Sequence, residues 1–239
     1  MKETQEFQEM AARVWHEWRR IAPERMETYR VGDQEPSLNS ISRYRWNVAL
    51  CEALLPSFHV FEVAVRNSVH GSMAHAQKTE DWFHVPGMFE ANEQTELEAA
   101  KRRIEQRGAT VTAGRIVAEV TLGFWTALFS SPYEDRIVRP VLARGMSKIP
   151  PDHRTRHFVA AQLKTGRDLR NRAFHLEPIW AIPDLLHRQQ MIGRFASWLF
   201  PLYTTLILTE DRFPEVFRQG VTPFCTDLET RIRSDTQQP

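Results

Sequence analysis

A chain of 239 residues, 42% hydrophobic and 26% charged, fits one large globular domain or two small ones, and its 14 Phe and 7 Trp supply ample core material. That composition excludes a wholly disordered chain, and a formal net charge of +1 excludes recruitment of polyanions by the overall field. Any basic site must therefore be local. Two distant cysteines, Cys51 and Cys225, form neither a disulfide framework nor a CxxC knuckle and point to a reducing compartment.

In chain order, Met1 to Glu6 is polar and acidic, unlike a secretory signal. Helical spacing dominates and period-two alternation is rare, so an all-α, multi-helix fold is expected, with additional helices at both ends. The first helix is expected from about Thr4 to Tyr29, and a polar turn region from Gly32 to Asn39. Ser40 or Ser42 is placed to cap the next helix, which turns Tyr44, Trp46, Leu50 and Leu54 inward. Pro56 interrupts it. Phe58, Phe61, Val65, Val69 and Met73 continue an apolar stripe. Glu62, Arg66 and His70, four apart, share another face, either solvated or a polar wall lining a site.

A loop follows from Lys78 to Met88, then a charged helix from about Glu90 to Arg107 that Gly108 ends. One further helix is expected from Thr112, carrying Ile116, Val120, Phe124 and Leu128. Asp152 is the expected N-cap of a helix reaching about His175, closed by Pro178. Helices from about Pro183 to Phe200 and Pro201 to Thr209 complete the reading, with a frayed polar tail after Arg231. The apolar run from Phe195 to Thr209 is broken by Pro201 and is shorter than the ~18 apolar residues a membrane span needs, so it is expected to be core. No repeat, linker or domain boundary is visible, and residues 1–239 read as a single domain.

Chemistry concentrates near the end of the helix that Asp152 opens. Lys148, Arg154, Arg156, Lys164, Arg167, Arg170 and Arg172 face only Asp152 and Asp168 over that stretch, a basic strip in a neutral chain. Arg170 and His175 form Arg-x4-His. Imidazole can take a proton from a ribose 2′-hydroxyl near neutral pH, and guanidinium can hold a phosphate by two hydrogen bonds as its charge grows. Five residues turn a helix by about 500°, so the two side chains diverge by about 140°; one of them must reach around, the helix must end between them, or two chains must combine. Asn171 and His175, four apart, share a face. Arg172 is a further phosphate candidate, and Glu177 can pair with it or with His175. His153 and His157 have a helical metal spacing, but only Asp152 accompanies them, so no metal or cofactor is expected.

The segment Arg170-Asn171-Arg172-x-x-His175-x-Glu177-Pro178-Ile179 resembles the signature of the bacterial abortive-infection (Abi-like) proteins of the HEPN superfamily. Three upstream blocks extend the resemblance over roughly residues 40 to 180: Tyr44-Arg45-Trp46-Asn47 through Glu52-Ala53-Leu54 to Phe61-Glu62-Val63-Ala64-Val65-Arg66-Asn67; Asp81-Trp82; and Gly114-Arg115-Ile116-Val117-Ala118 with Leu122-Gly123-Phe124-Trp125. The resemblance implies a homodimer in which the Arg-x4–6-His segments of two chains meet, and metal-independent cleavage of RNA in anti-phage defence or as a toxin. His175 would then be the general base, Arg170 the phosphate clamp and Asn171 the polar residue after it. Arg66, Asn67, Arg167, Arg172 and Glu177 are the substrate-binding candidates. The implied setting is cytoplasmic, with RNA as substrate and an antitoxin or phage-derived trigger as a further partner. Leu176 departs from the family, which often carries a second histidine there. The alternative is a non-catalytic HEPN-like module that binds nucleic acid or a protein partner in a defence or toxin–antitoxin system.

Overall fold

The computed structural model describes residues 2–21, 23–31, 37–209 and 211–236, and every regular element among them is helical. The all-α expectation holds. By compactness the chain divides into two units, one of Met1–Leu55, Asn171–Leu186 and Asp211–Pro239, the other of Pro56–Arg170 and His187–Glu210. The stretch from about 40 to 180 contributes to both.

In the first unit, α1 (Lys2–Ile21), α12 (Phe213–Gln219) and α13 (Thr222–Thr236) pack on α3 (Ser37–Ala53), with the short α2 (Pro23–Glu27) alongside. The expected single helix over residues 4–29 is therefore two, because Pro23 lacks the amide hydrogen that a continuous helix needs and sits instead at the first position of α2. α3 begins at Ser37, one turn before the expected caps, so residues 37–39 of the expected turn region are helical, while its residues 32–36 lie outside the described residues. Ser40 and Ser42 lie inside it, buried, and neither hydroxyl is satisfied among the described residues. Leu50 and Leu54 are fully buried. Tyr44 and Trp46 are half-buried: Tyr44 meets Trp18 and Tyr29 edge-on, and the Trp46 indole donates to the Val216 carbonyl at 3.0 Å. Where a frayed tail was expected after Arg231, α13 continues through Thr236; residues 237–239 of that expectation lie outside the described residues. Its Ile232 joins Leu38 in a small core with Met10 and Leu228, and Arg45 grips Asp227 at 2.5 Å.

The second unit is centred on α4 (Leu55–Gln77), which restarts after a break at Leu54 with Pro56 in its first turn, as proline chemistry demands. Phe58, Phe61, Val65, Val69 and Met73 are all buried. The loop after α4 folds Trp82 and Phe83 into an aromatic cluster with Phe89, Phe124 and Trp125. α5 (Ala91–Gln106) ends at Gly108, whose φ of 71° only glycine adopts readily. The helix expected from Thr112 is two, α6 (Ala113–Glu119) and α7 (Leu122–Ala127). Val120 is extended and the Thr121 hydroxyl accepts from the Phe124 amide, opening a new N-terminus. All four expected core residues stay buried, because one turn of break preserves their common side.

α8 (Arg139–Ala143) follows, then α9 (Arg156–Phe174). Asp152 does not cap α9: it lies in a 3-10 turn, and Thr155 caps instead, accepting from the Phe158 amide at 3.2 Å. α10 (Leu185–Leu199) and α11 (Pro201–Leu208) match expectation in position. The expectation that Phe195 to Thr209 is core holds for Phe195, Ala196, Leu199 and Thr204, but Leu202 and Leu206 are exposed. The helical run Leu38–Gln77 is long and apolar enough to cross a membrane by composition, yet 56% of its most apolar window is buried within the protein, as in a core helix.

Gly166, in α9, touches Phe61 so closely that a Cβ would lie 2.5 Å from the ring. Gly166→Ala is expected to lose about 1–3 kcal/mol of stability by overpacking. Gly71→Ala, with nothing within 4 Å, should instead gain about 0.5–1 kcal/mol from helix propensity. Denaturant unfolding of both variants checks the contrast.

Candidate functional site

α9 ends in a hydrogen-bonded Schellman turn. The Glu177 amide donates to the Arg172 carbonyl at 2.9 Å and the Leu176 amide to the Ala173 carbonyl at 3.0 Å. Leu176 occupies the left-handed position, φ 51°, usually taken by glycine. A leucine there costs about 1–2 kcal/mol, so the surroundings must hold it.

The hold comes from Asn47 of α3, which is completely buried. Its Oδ1 accepts from the amides of Ile179 at 2.8 Å and Trp180 at 3.1 Å, and its Nδ2 donates to the Glu177 carbonyl at 3.1 Å. One carboxamide thus satisfies three backbone groups of an irregular segment that has no helix to do so. Arg172 reinforces the turn, donating from Nη2 to the Pro178 carbonyl at 2.9 Å and pairing with Glu177 at 3.3 Å. Trp180 stacks near Tyr29 and lies under the Arg43 guanidinium. Asn47 was visible in sequence only as part of the Tyr44–Asn47 block; the signal that would have singled it out is a polar residue on the apolar face of α3.

His175 sits one residue beyond α9, on this turn. Its imidazole is exposed and has no hydrogen-bond partner among the described residues, while its carbonyl accepts from Arg25 at 3.2 Å. Three other histidines have partners for their rings. His70 accepts from the Trp82 indole at 3.1 Å, His59 meets the Tyr203 hydroxyl at 2.8 Å, and His153 stacks on Phe158. Asn171 is exposed on the last turn of α9, and its carbonyl accepts from the His175 amide at 3.0 Å. The first unit therefore carries Asn171, Arg172, His175 and Glu177 on one helix end.

The second unit carries Arg66, Asn67, Arg167 and Arg170. Arg170 is half-buried with its Nε 3.9 Å from the Glu62 carboxylate. Arg167 donates to the Thr126 hydroxyl at 3.0 Å. Arg66 is half-buried and Asn67 exposed on α4. Much of the basic strip is likewise engaged: Arg156 with Glu134, Lys164 with Asp168, Arg154 with the Ser147 carbonyl. Glu134, like Glu62 beside Arg170, is a carboxylate that sequence order alone does not place beside the strip.

The Glu62–Arg66–His70 face is built for packing at its His70 end. His70 stacks on Phe83, and burial pushes its pKa below the ordinary imidazole value, with Glu80 opposing weakly. His153 and His157 do not share a helix, since His153 precedes α9. Among the described residues no group of three or more His, Cys, Asp or Glu could hold a metal ion. The Cys51 thiol is pushed up to about 11 by burial, and both cysteines are unbridged.

No family model matches the chain, and comparison with curated proteins and with solved structures finds no match either.

Asn47→Ala is expected to destabilise the protein by about 2–4 kcal/mol in denaturant melts, because it strands three backbone groups. A second expectation concerns pH. The unfolded chain binds a proton at His70 more readily than the folded one, so stability is full above the ordinary histidine pKa of about 6.5 and falls as pH drops below it. His70→Gln, measured by melts over that range, should flatten the dependence.

Proposed function

We propose that the chain is a metal-independent endoribonuclease that acts in bacterial anti-phage abortive infection or as a toxin, in the cytoplasm and as a homodimer. The observation that carries this reading is the exposed, unbonded imidazole of His175, held on a fixed turn at the end of a basic helix within the Arg170–Ile179 signature. Every partner that immobilises the turn binds its backbone or its flanking residues and leaves the ring open to a substrate.

In the proposed reaction His175 removes the proton of a ribose 2′-hydroxyl. The alkoxide attacks the adjacent phosphorus, the O2′–P bond forms, and the P–O5′ bond breaks. The products are a 2′,3′-cyclic phosphate and a 5′-hydroxyl that takes its proton from water. Arg170 stabilises the charge that builds on the phosphoryl oxygens, and Asn171, on the face of His175, orients the imidazole or the phosphate. As in the family that the Arg170–Ile179 segment resembles, the Arg170 of one chain serves the His175 of the other. Arg66, Asn67, Arg167, Arg172 and Glu177 are the proposed substrate contacts.

A second reading, a non-catalytic HEPN-like module that binds nucleic acid or a protein partner, is favoured by the pairing of the α9 cations with Glu134, Asp168 and Glu62. Paired cations bind phosphate less strongly than open ones.

Purified protein incubated with diverse RNAs in excess chelator is expected to cleave them, and His175→Ala to lose about 10²–10⁴-fold in rate. Equal cleavage by both proteins, or none by either, overturns the enzymatic reading.

A further inference from the structure

The second unit contains a cavity of about 370 Å³, bounded by α4, the turn after α8 and the end of α10. We propose that it binds a nucleoside phosphate, with Arg144 and Lys148 holding the phosphate and Trp198 and Phe200 flanking the base.

The charge of the cavity points to an anion. Arg144 and Lys148 are its charged lining residues, and no carboxylate lines it. Neither cation has an ion-pair or hydrogen-bond partner for its side chain among the described residues. That separates them from Arg154, Arg156 and Lys164 nearby in sequence, which are engaged. Two unneutralised cations over one concavity focus a positive potential that a phosphate relieves.

The rest of the lining points to more than inorganic phosphate. Trp198 and Phe200 present aromatic surface, and Phe200 is 39% exposed. An aromatic wall contributes nothing to a bare phosphate but offers stacking to a base. Asn67 and Ser147 add donors and acceptors suited to a ribose or a base edge. The volume lies at the lower end of the roughly 300–1,000 Å³ range of small-molecule sites.

The cavity is also preformed. The Ser68 hydroxyl donates to the Gly145 carbonyl at 2.8 Å, and the Ser72 hydroxyl to the Ser68 carbonyl at 2.6 Å. A Cβ at Gly145 would collide with both hydroxyls and lie 2.6 Å from the Ser68 carbonyl oxygen. Only glycine permits this contact, which fixes the turn bearing Arg144 and Lys148 against α4.

Calorimetric titration of the full chain with AMP, adenosine and inorganic phosphate tests the proposal. AMP is expected to bind about tenfold or more tightly than either fragment. Arg144 and Lys148 are exposed, so the Arg144→Ala/Lys148→Ala double variant should keep its circular dichroism while AMP binding weakens at least tenfold. Phe200→Ala should weaken AMP without changing phosphate. Arg139→Ala, removing an exposed cation paired with Asp135, should change nothing. A single-stranded RNA that displaces AMP makes the ligand a nucleotide unit within RNA, and one that does not makes it a free nucleotide. No AMP binding, binding unchanged in the double variant, or phosphate binding as tight as AMP overturns the proposal. Asn67 belongs both to this cavity and to the proposed RNA contacts, but none of these variants alters it or His175, so AMP binding and the His175→Ala cleavage comparison are read independently.

Discussion

The segment that follows α9 depends on one buried carboxamide. Asn47 reaches from α3 and satisfies Glu177, Ile179 and Trp180 at once. Buried backbone groups outside helices need such partners, and each one left open costs on the order of 1–3 kcal/mol. Because the chain is held there, Leu176 can keep a left-handed conformation that a leucine adopts at a cost. That conformation in turn ends α9 and lets the chain turn away before Pro178. The His175 backbone belongs to this arrangement, and its imidazole rides on it without a partner among the described residues. A group that bears no structural burden, yet is fixed in position, is what general base catalysis asks for.

The same logic separates two kinds of cation. In α9 most basic side chains find a carboxylate, a carbonyl or a hydroxyl, so the strip that stands out in sequence is much less open in space. Between Pro140 and Pro150, Arg144 draws no attention in sequence, and Lys148 draws it only as the first residue of the basic strip. Yet they line a cavity without compensation. Basic density along a chain and basic potential at a surface are different quantities, and only the second acts on a ligand.

Much of the fold was legible because apolar spacing survives local breaks. Ile116, Val120, Phe124 and Leu128 were identified as core, and all are buried although two helices carry them rather than one. Capping was harder to read. Ser40, Ser42 and Asp152 are all good capping residues, but α3 starts at Ser37 and α9 is capped by Thr155, whose hydroxyl accepts from the Phe158 amide. The split at Pro23 follows from proline chemistry that a helical pattern alone overrode. Leu202 and Leu206 show the opposite limit: an apolar run reads as core, but a helix packed on one side leaves its other side exposed. For the candidate site, the spacing of Asn171 and His175 was readable. The pairing of Arg172 with Glu177 was readable as well, but the bond from Arg172 to the Pro178 carbonyl and the role of Asn47 were not, since one is bent back by the turn and the other joins residues distant in sequence.

In the proposed reaction a 2′-hydroxyl, deprotonated at His175, is the nucleophile. The chemical identity of the RNA ends tests it most directly. Mass spectrometry of products formed by the purified protein should find 2′,3′-cyclic phosphates on the upstream fragments and 5′-hydroxyls on the downstream ones. Upstream fragments ending in 3′-hydroxyls, with 5′-phosphates downstream, would mean that water attacked the phosphorus and would contradict the account.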